Sequence, residues 1–288
     1  MSTAKIAPVM GSSSAMNMIG ALLEQRAGQQ IAANRAWRIE TALKPLLRAR
    51  GLATLDELVG QLVAARTGEL GDHVVDALLN QETSFFRDVA VLDTVADAAQ
   101  ALHAANPQRK LRIWSAGCST GQEPLSLAML LIERGLMDSA TPPEIVATDI
   151  SPAALSRARA GRYSQFEIQR GLPVRRMIQW FDSVGGDWVA KPELVRRVQF
   201  RQHNLTADCA PAGRFDIILC RNVMLYFSTA VRQRVFDLLA TGVRPGGLLV
   251  LGAGETVIGM TEHFSPTKAF RGFYEAADPA APSAAVLG

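Results

Sequence analysis

The stretch LRIWSAGCSTGQEPLSLAMLL, residues 111–131, constrains the fold more than any other part of this chain. Its first residues are apolar and include a β-branched and an aromatic side chain, which favours a buried strand. Two glycines, Gly117 and Gly121, lie among small residues and predict a turn, because glycine accepts backbone conformations that other residues avoid. A helical pattern follows. The sequence therefore predicts a strand, a turn and a helix.

The turn lacks the features of a phosphate-binding loop. A P-loop would place Lys directly after its second glycine, but Gln122 follows Gly121. The dinucleotide pattern GxGxxG, started at Gly117, would need glycine where the chain has Ser119 and Gln122. Glu123, in the first turn of the helix, is either a ligand group or a favourable charge on the helix dipole. We therefore expect a ligand without a phosphate group.

A carboxylate is predicted beside this turn. The next apolar segment, residues 144–147, ends in Thr148 and Asp149. A carboxylate at the carboxyl end of the neighbouring strand can accept hydrogen bonds from both hydroxyls of a ribose, which favours S-adenosylmethionine as the ligand. The alternative interpretation is a glycine-rich turn followed by an aspartate that merely precedes the next helix.

Strands and helices alternate through most of the remaining chain. Apolar segments at residues 198–201, 215–220 and 248–251 continue the pattern, and residues 270–276 can supply an edge strand. This alternation predicts an α/β fold with a doubly wound, mostly parallel sheet. Ligands of such sheets bind outside the carboxyl ends of the strands. Four residues fall at these predicted ends: Gly117, Asp149, Asn204 and Asn222.

Other parts of the chain depart from this alternation. Residues 16–81 are helical in pattern throughout and predict a small all-helical domain before the sheet domain of residues 82–276. Residues 163–193 contain short elements and a Gly-Gly-Asp turn, which predicts an inserted lobe. Small and polar residues predict a loose tail over residues 1–15, and residues 277–288 form a second predicted tail.

Composition limits the class of protein. The 288 residues are 48% apolar, with a mean hydropathy of +0.10, which is ample for a core. The net charge of +3 is too small to indicate nucleic-acid binding. Three cysteines fit a reducing compartment, and scattered histidines indicate no metal site. No segment approaches the length of a membrane span, so we expect a cytoplasmic protein, and we expect it to be a monomer.

Basic residues concentrate in the predicted helical domain. Residues 26–50 contain six basic residues and one acid, Glu40. One interpretation is a solvated helix face. The other is a docking surface for an acidic partner, because clustered like charges cost stability that an acidic partner would offset. The candidate docking residues are Arg35, Arg38, Lys44 and Arg48.

Five motifs together resemble a known family. They are residues 81–87 (QETSFFR), 114–124 (WSAGCSTGQEP), 147–151 (ATDIS), 203–205 (HNL) and 215–227 (FDIILCRNVMLYF). The set resembles the CheR-type chemotaxis receptor methyltransferases, which are protein-glutamate O-methyltransferases, and the resemblance covers roughly residues 16–276. It implies a class I fold that depends on S-adenosylmethionine, with an N-terminal helical domain and an inserted small antiparallel β-subdomain.

The resemblance also implies a set of site residues. Those that would bind S-adenosylmethionine are Gln81, Thr83, Arg87, Ala116, Gly117, Glu123, Asp149, Asn204, Leu205, Arg221 and Asn222. Asp149 would hold the ribose, and Asn204 with Leu205 would lie near the adenine. Arg87 and Tyr226 would be the catalytic residues, with Tyr226 close to the methyl group and the incoming carboxylate.

The sequence departs from the family pattern at two positions. Gln81 replaces the usual Asn, so a longer amide has to make one cofactor contact. Gln122 replaces the first acid of the usual GEEP segment, which we expect to matter little. The turn at residues 182–187 is short for gripping a C-terminal receptor pentapeptide, which favours action without that tether. Considered without the resemblance, Thr83 is typical of a helix cap and Arg87 of a surface residue.

The implied reaction is methylation of glutamate side chains on the cytoplasmic helical bundle of a chemoreceptor, with S-adenosylhomocysteine as the second product. Glutamate has an ordinary pKa of about 4.3, so it is already ionised near neutral pH and no general base is expected. Two alternatives stay open. One is a methyltransferase for a small carboxylic acid, and the other is a non-catalytic adaptor that binds S-adenosylmethionine.

Overall fold

A computed structural model gives the structure of residues 12–32, 35, 37–65 and 67–277. The chain separates into two compact units. The first unit comprises the chain up to Asn80 together with Tyr226–Ser228, and the second comprises Gln81–Leu225 and the chain from Thr229 onwards. The short segment Tyr226–Ser228 therefore belongs to the first unit, although its neighbours in sequence belong to the second.

The first unit is helical in the part that the structure describes. Its helices are α1 (Ser13–Ala27), α2 (Trp37–Ala49), α3 (Leu55–Ala64) and α4 (Glu69–Leu78). Apolar residues recur on one face of each helix, and fully buried side chains such as Ile19, Leu43 and Leu58 form the core between them. The all-helical pattern predicted for this part of the sequence produces a small helical bundle.

The predicted N-terminal tail, residues 1–15, extends too far along the chain, because its last residues belong to helix α1. The helix begins at Ser13, not after residue 15, because the Ser12 hydroxyl accepts a hydrogen bond from the Ala15 amide at 3.1 Å. Ala15 is itself buried. The rest of this predicted tail, residues 1–11, and residues 278–288 of the C-terminal one lie outside the described residues.

The second unit contains two sheets. Its strands are β1 (Arg112–Ala116), β2 (Glu144–Asp149), β3 (Arg162–Ser164), β4 (Phe181–Val184), β5 (Asp187–Ala190), β6 (Val198–Gln202), β7 (Phe215–Cys220), β8 (Val243–Leu251), β9 (Phe264–Pro266) and β10 (Phe273–Ala276). Its helices are α5 (Val89–Ala105), α6 (Gln122–Glu133), α7 (Pro152–Ala160), α8 (Gln165–Gln169), α9 (Val174–Trp180), α10 (Pro192–Val195) and α11 (Thr229–Gly242).

The larger sheet has seven strands in the order β6-β2-β1-β7-β8-β10-β9. The pairs from β6 to β8 are parallel, and β10 pairs antiparallel with both β8 and β9. Every residue of β7 is buried, as expected for a central strand covered on both faces. The predicted α/β fold with a doubly wound, mostly parallel sheet is confirmed.

The predicted edge strand at residues 270–276 is wrong in its position. Strand β10 begins at Phe273 and lies inside the sheet, and β9 forms the edge. Strand β9 has three residues, too few to show the alternating pattern by which a strand is recognised in a sequence.

The inserted lobe carries the smaller sheet, whose three antiparallel strands have the order β3-β5-β4. Gly185 and Gly186 join β4 to β5, with φ angles of 63° and 87°. A two-residue hairpin turn of type I′ requires positive φ at both positions, which glycine adopts readily. The small antiparallel β-subdomain implied by the family resemblance is thus present.

No helix in the described parts of the chain is both long enough and apolar enough to cross a lipid bilayer.

Candidate active site

The strand order brings the predicted site segments together. Strands β6, β2, β1 and β7 are consecutive neighbours in the sheet. Parallel pairing places their carboxyl ends at one edge, with Ala116 opposite Thr148 and Asp149 opposite Gln202. At the end of these four strands or just beyond it lie, in that spatial order, Asn204, Asp149, Gly117 and Asn222.

The turn after β1 is fixed by backbone contacts. The amides of Gly117 and Cys118 both donate to the carbonyl oxygen of Thr148, at 2.8 and 2.9 Å. Gly117 has a φ of 76°, and a Cβ atom at this position would lie 2.5 Å from Cγ2 of Val223. Position 117 therefore strongly favours glycine, because a side chain would be strained by this backbone angle and would force Val223 to move.

The carboxylate of Asp149 is held in a fixed orientation. Its Oδ2 accepts a hydrogen bond from the Ser119 amide at 2.7 Å, and its Oδ1 accepts one from the Ser151 amide at 2.9 Å. These two donors lie in the turns after β1 and β2, so the carboxylate joins both turns. An ionised carboxylate has about four acceptor positions, and its chemistry suits the hydroxyl groups of a sugar.

Gln81 connects the segment before α5 to the same two turns. Its backbone carbonyl accepts a hydrogen bond from the Ser119 hydroxyl at 2.7 Å, and its side-chain amide donates to the Ser151 hydroxyl at 2.9 Å. Gln81 thus reaches the carboxyl edge of the sheet, where the resemblance to the family placed it. The longer amide is directed toward Ser151.

Glu123 and Arg221, both predicted to line the cofactor site, form an ion pair with each other. The Arg221 side chain is only 1% exposed, and one of its terminal nitrogens donates to Glu123 Oε2 at 3.0 Å. The other donates to Asp88 Oδ2 at 2.6 Å and to the carbonyl of Arg87 at 3.2 Å. Glu123 also accepts from the Ser115 hydroxyl at 2.9 Å. The pair therefore connects the end of the segment before α5, at Arg87 and Asp88, to Glu123 in the first turn of α6.

Arg87 itself is held loosely. Its guanidinium group is 3.5 Å from the carbonyl oxygen of Glu82 and 3.9 Å from the Glu82 carboxylate, and its side chain is 33% exposed. Contacts of this length are weak. The backbone of Arg87 is held by Arg221 through its carbonyl oxygen. Thr83, from the same segment, is half-buried.

The segment after β6 is tied to the end of β2. The His203 amide donates to the carbonyl of Asp149 at 3.0 Å. The side-chain oxygen of Asn204 accepts from the amide and the hydroxyl of Thr206, at 3.0 and 2.8 Å, which makes a local turn. Asn204 and Leu205 are both half-buried, and Ala116 is fully buried.

Backbone strain is concentrated in these segments. Among the described residues, the non-glycine residues with positive φ are Phe86, Asp88, Ser119 and Asn222. All four lie in the segment before α5 or directly after β1 and β7. Strained backbone persists only where surrounding contacts enforce it, and it is common at binding sites.

Sequence reasoning also missed Glu255, an acid that lies in this region. Its carboxylate accepts hydrogen bonds from the backbone amides of Asn222, Gly252 and Met224, at 2.8, 2.7 and 2.8 Å. Backbone amides have no signature in a sequence. Nothing in the sequence therefore distinguished this acid from an ordinary loop residue.

The remaining predicted residues lie in the helical unit. The Tyr226 hydroxyl accepts a hydrogen bond from the side-chain amide of Asn80, and the Tyr226 carbonyl accepts one from the Gln30 amide at 2.8 Å. On and just before α2, Arg35 and Arg48 are exposed. Arg38 and Lys44 of α2 are half-buried. The catalytic and docking roles of these residues stay predictions.

The model of the family "CheR methyltransferase, SAM binding domain" matches residues 81–273. The chain belongs to the CheR methyltransferase family. A chemotaxis protein methyltransferase, Cher2, of Pseudomonas putida is 36% identical over 247 residues, which cover 84% of this chain and 90% of the relative. A chemotaxis protein methyltransferase of Vibrio parahaemolyticus is 39% identical over 248 residues, covering 84% and 89%. That of Listeria monocytogenes is 31% identical over 192 residues, covering 67% and 71%.

This CheR methyltransferase uses S-adenosylmethionine as its cofactor, and its residues fit that group. The turn of residues 116–122 contains no basic side chain, in keeping with a nucleoside that has no phosphate. The oriented Asp149 carboxylate would provide acceptors for the ribose hydroxyls. Gly117 lets the backbone of the turn take the positive φ on which this arrangement depends.

Two cysteines of the CheR domain lie close to this edge of the sheet. Burial raises the pKa of the Cys118 thiol well above its usual value, and the carboxylates of Asp149 and Glu123 raise it further. Burial raises the pKa of Cys220 in the same way, with Glu255 and Glu123 adding to it. Both thiols are therefore neutral near pH 7 and are poor nucleophiles.

Proposed function

We propose that this CheR methyltransferase methylates glutamate side chains on the cytoplasmic helical bundle of chemotaxis receptors, giving glutamyl methyl esters for sensory adaptation. The relatives at 36% and 39% identity are named chemotaxis protein methyltransferases. The observation that carries the proposal is the oriented Asp149 carboxylate beside the Gly117 turn, inside a domain that matches the family model. We propose that the reaction takes place in the cytoplasm, where these receptor domains lie. We also propose that the enzyme is a monomer.

In the proposed mechanism the protein accelerates the reaction mainly by positioning the methyl group and the substrate carboxylate. When bound, S-adenosylmethionine supplies an electrophilic methyl group on a positively charged sulfur. Asp149 binds the ribose, while Asn204 and Leu205 contact the adenine. The substrate carboxylate is ionised near neutral pH, so no side chain has to remove a proton. The protein's task is to hold the carboxylate oxygen in line and to exclude water, and Arg87 and Tyr226 orient the groups that react.

Glu123 and Arg221 support this arrangement through their contacts with each other and with the segment before α5. Because Arg221 is almost fully buried, its two carboxylate partners, Glu123 and Asp88, are needed to compensate its charge. We propose that this ion-pair network holds Thr83 and Arg87 next to the cofactor turn, while Gln81 fixes the other end of the segment.

The substrate surface is proposed on the helical unit. Arg35, Arg38, Lys44 and Arg48 lie on or just before α2, and the receptor bundle with its methylatable glutamates is acidic. Complementary charge speeds association and fixes the orientation of the partner. The two-residue hairpin turn at Gly185 and Gly186 supports action without a receptor pentapeptide tether.

The test is methyl transfer to a purified receptor cytoplasmic fragment from S-adenosylmethionine with a tritiated methyl group. We expect label on the fragment that base releases as methanol, and no label on a control fragment whose candidate glutamates are replaced by glutamine. Label on free small carboxylic acids with none on the fragment would instead establish the small-acid alternative. Cofactor binding without transfer to any acceptor would establish an adaptor.

A further inference from the structure

The Glu255 carboxylate accepts hydrogen bonds from three backbone amides. It lies just beyond β8, and its Oε2 accepts from the amides of Asn222 at 2.8 Å and Gly252 at 2.7 Å. Its Oε1 accepts from the Met224 amide at 2.8 Å. One half-buried carboxylate thus joins the ends of the neighbouring strands β7 and β8.

The backbone that Glu255 holds is strained. Asn222 has a φ of 60°, in the left-handed region, which asparagine enters more readily than other non-glycine residues but which is still uncommon. Gly252 packs so tightly against it that a Cβ atom on Gly252 would lie 2.7 Å from both the backbone and the side-chain nitrogen of Asn222. Charge-assisted hydrogen bonds to a carboxylate are among the stronger ones in proteins. Without them the segment of residues 222–224 would relax toward a more common conformation.

Residues 222–224 also pack against the Gly117 turn, where we propose that the cofactor binds. Val223 lies between Asn222 and Met224, whose amides both donate to Glu255, and its side chain occupies the space beside Gly117 that a Cβ atom would need. Residue 222 is also the first residue after the buried Arg221. A shift of residues 222–224 would therefore move a wall of the turn that carries the cofactor.

We infer that Glu255 is a positioning residue of this methyltransferase: its carboxylate fixes residues 222–224 against the Gly117 turn and so sets cofactor affinity and the alignment for methyl transfer. It acts through the backbone of these residues and touches no reacting group. The kinetic part of this inference rests on the proposed function, whereas the cofactor-binding part does not.

The main test compares Glu255→Gln with a matched control at the other end of β7. Glutamine keeps the size of the side chain but turns one acceptor into an NH2 group, which faces a backbone donor. Asp216→Asn is the control, because Asp216 is buried, accepts the Arg112 amide at 2.8 Å and pairs with Arg109 at 2.7 Å. Both variants should melt at a lower temperature than the wild type.

Only Glu255→Gln should change the site. Per folded molecule, we expect its affinity for S-adenosylhomocysteine in calorimetry to fall roughly tenfold, as expected for one charge-assisted hydrogen bond. In the receptor assay kcat should fall while the KM for the receptor stays near the wild-type value. Asp216→Asn should keep wild-type values for all three quantities.

Wild-type affinity and kcat in Glu255→Gln, with only a lower melting temperature, would overturn the inference, as would equal losses in Asp216→Asn. If Glu255→Gln does not fold, Glu255→Asp decides, because it keeps the charge but withdraws the oxygens by one methylene. It should show the same selective loss of affinity, and wild-type binding would again overturn the inference. Should the wild type fail to methylate receptors while the affinity loss appears, the proposed function fails and the positioning role stands.

Discussion

At the scale of single residues, carboxylates that bind backbone amides shape this site. Asp149 fixes the turns after β1 and β2, and Glu255 fixes the segment after β7. The buried guanidinium of Arg221 holds the segment before α5 through the carbonyl of Arg87. The segments that carry the residues proposed to bind cofactor and substrate are therefore held in place by other, charged side chains.

The substitution Tyr226→Phe should affect methyl transfer without affecting cofactor binding. The substitution removes only the hydroxyl, so affinity for S-adenosylhomocysteine should stay at the wild-type value while kcat falls about tenfold through poorer alignment. Calorimetry and the receptor assay measure the two quantities. Tyr274→Phe is the control, since the Tyr274 hydroxyl makes only a 3.4 Å contact with Thr256. Wild-type kcat in Tyr226→Phe would contradict a role in catalysis.

Residue roles differ in how far the sequence reveals them. Gly117 and Asp149 could be predicted, because a turn glycine and an acid at a strand end have positions that the strand pattern fixes. The Glu123–Arg221 pair could not, since its partners are 98 residues apart in the chain. Glu255 could not either, because it binds amides that every residue except proline carries.

At the scale of elements, the inserted lobe supports the segment before α5. The ring of Phe85 packs edge-on against Tyr163 of β3 at 4.9 Å and Phe181 of β4 at 5.4 Å. Burial raises the pKa of Tyr163, whose hydroxyl donates to the carbonyl of Thr120 at 2.8 Å. The lobe thus contacts both the segment with Arg87 and the turn after β1.

Gly171→Ala should disturb this support. A Cβ atom at residue 171 would lie 2.2 Å from the carbonyl oxygen of Phe85, and the backbone φ is 98°. We expect a lower melting temperature and a weaker affinity for S-adenosylhomocysteine, because the segment of residues 81–88 has to shift. Gly186→Ala is the matched control: its φ is 87°, but nothing lies within 4 Å of the added atom.

The control should lose about 1–2 kcal/mol of stability from the left-handed backbone alone and should bind the ligand normally. Thermal unfolding and calorimetry on both variants distinguish the two effects. Equal ligand affinities in Gly171→Ala and Gly186→Ala would show that the lobe contact does not influence the site.

The ends of helices and strands can be predicted where the sequence contains characteristic capping residues. Ser151 caps the start of α7, Pro152 is its first residue and Gly161 follows its last, and these residue types are common at those positions. The start of α1 was missed because Ser12 lies in a run of small residues that resembles a tail. Strand β8 begins at Val243 and so includes Pro245-Gly246-Gly247, residues that are typical of a turn. The pairing of β7 with β8 shifts its register at this point. Such bulges depend on the neighbouring strand and have no local code.

At the scale of the whole molecule, the proposed docking of an acidic receptor depends on where the basic residues lie rather than on the net charge of +3. Replacing Arg35, Arg38 and Arg48 together by Glu should lower kcat/KM for receptor methylation more than tenfold at low salt, because the attraction to an acidic bundle becomes repulsion. Raising the ionic strength should reduce the difference from the wild type. Affinity for S-adenosylhomocysteine should not change.

The control for this variant makes the same change in charge elsewhere. Arg196, Arg234 and Arg271 are exposed residues of the sheet unit. Replacing these three by Glu should leave methylation closer to the wild-type rate. Equal losses in both triple variants would indicate a response to net charge and would refute a docking surface at α2.

The central claim is that an adenosyl cofactor binds at the glycine turn with its ribose held by Asp149. Calorimetric titration with S-adenosylhomocysteine tests it most directly, on the wild type, on Asp149→Ala and on Asp182→Ala, a control at an exposed lobe aspartate. Binding to the wild type and the control, with none detectable for a folded Asp149→Ala protein, is the predicted result. Equal affinity of wild type and Asp149→Ala would contradict the claim.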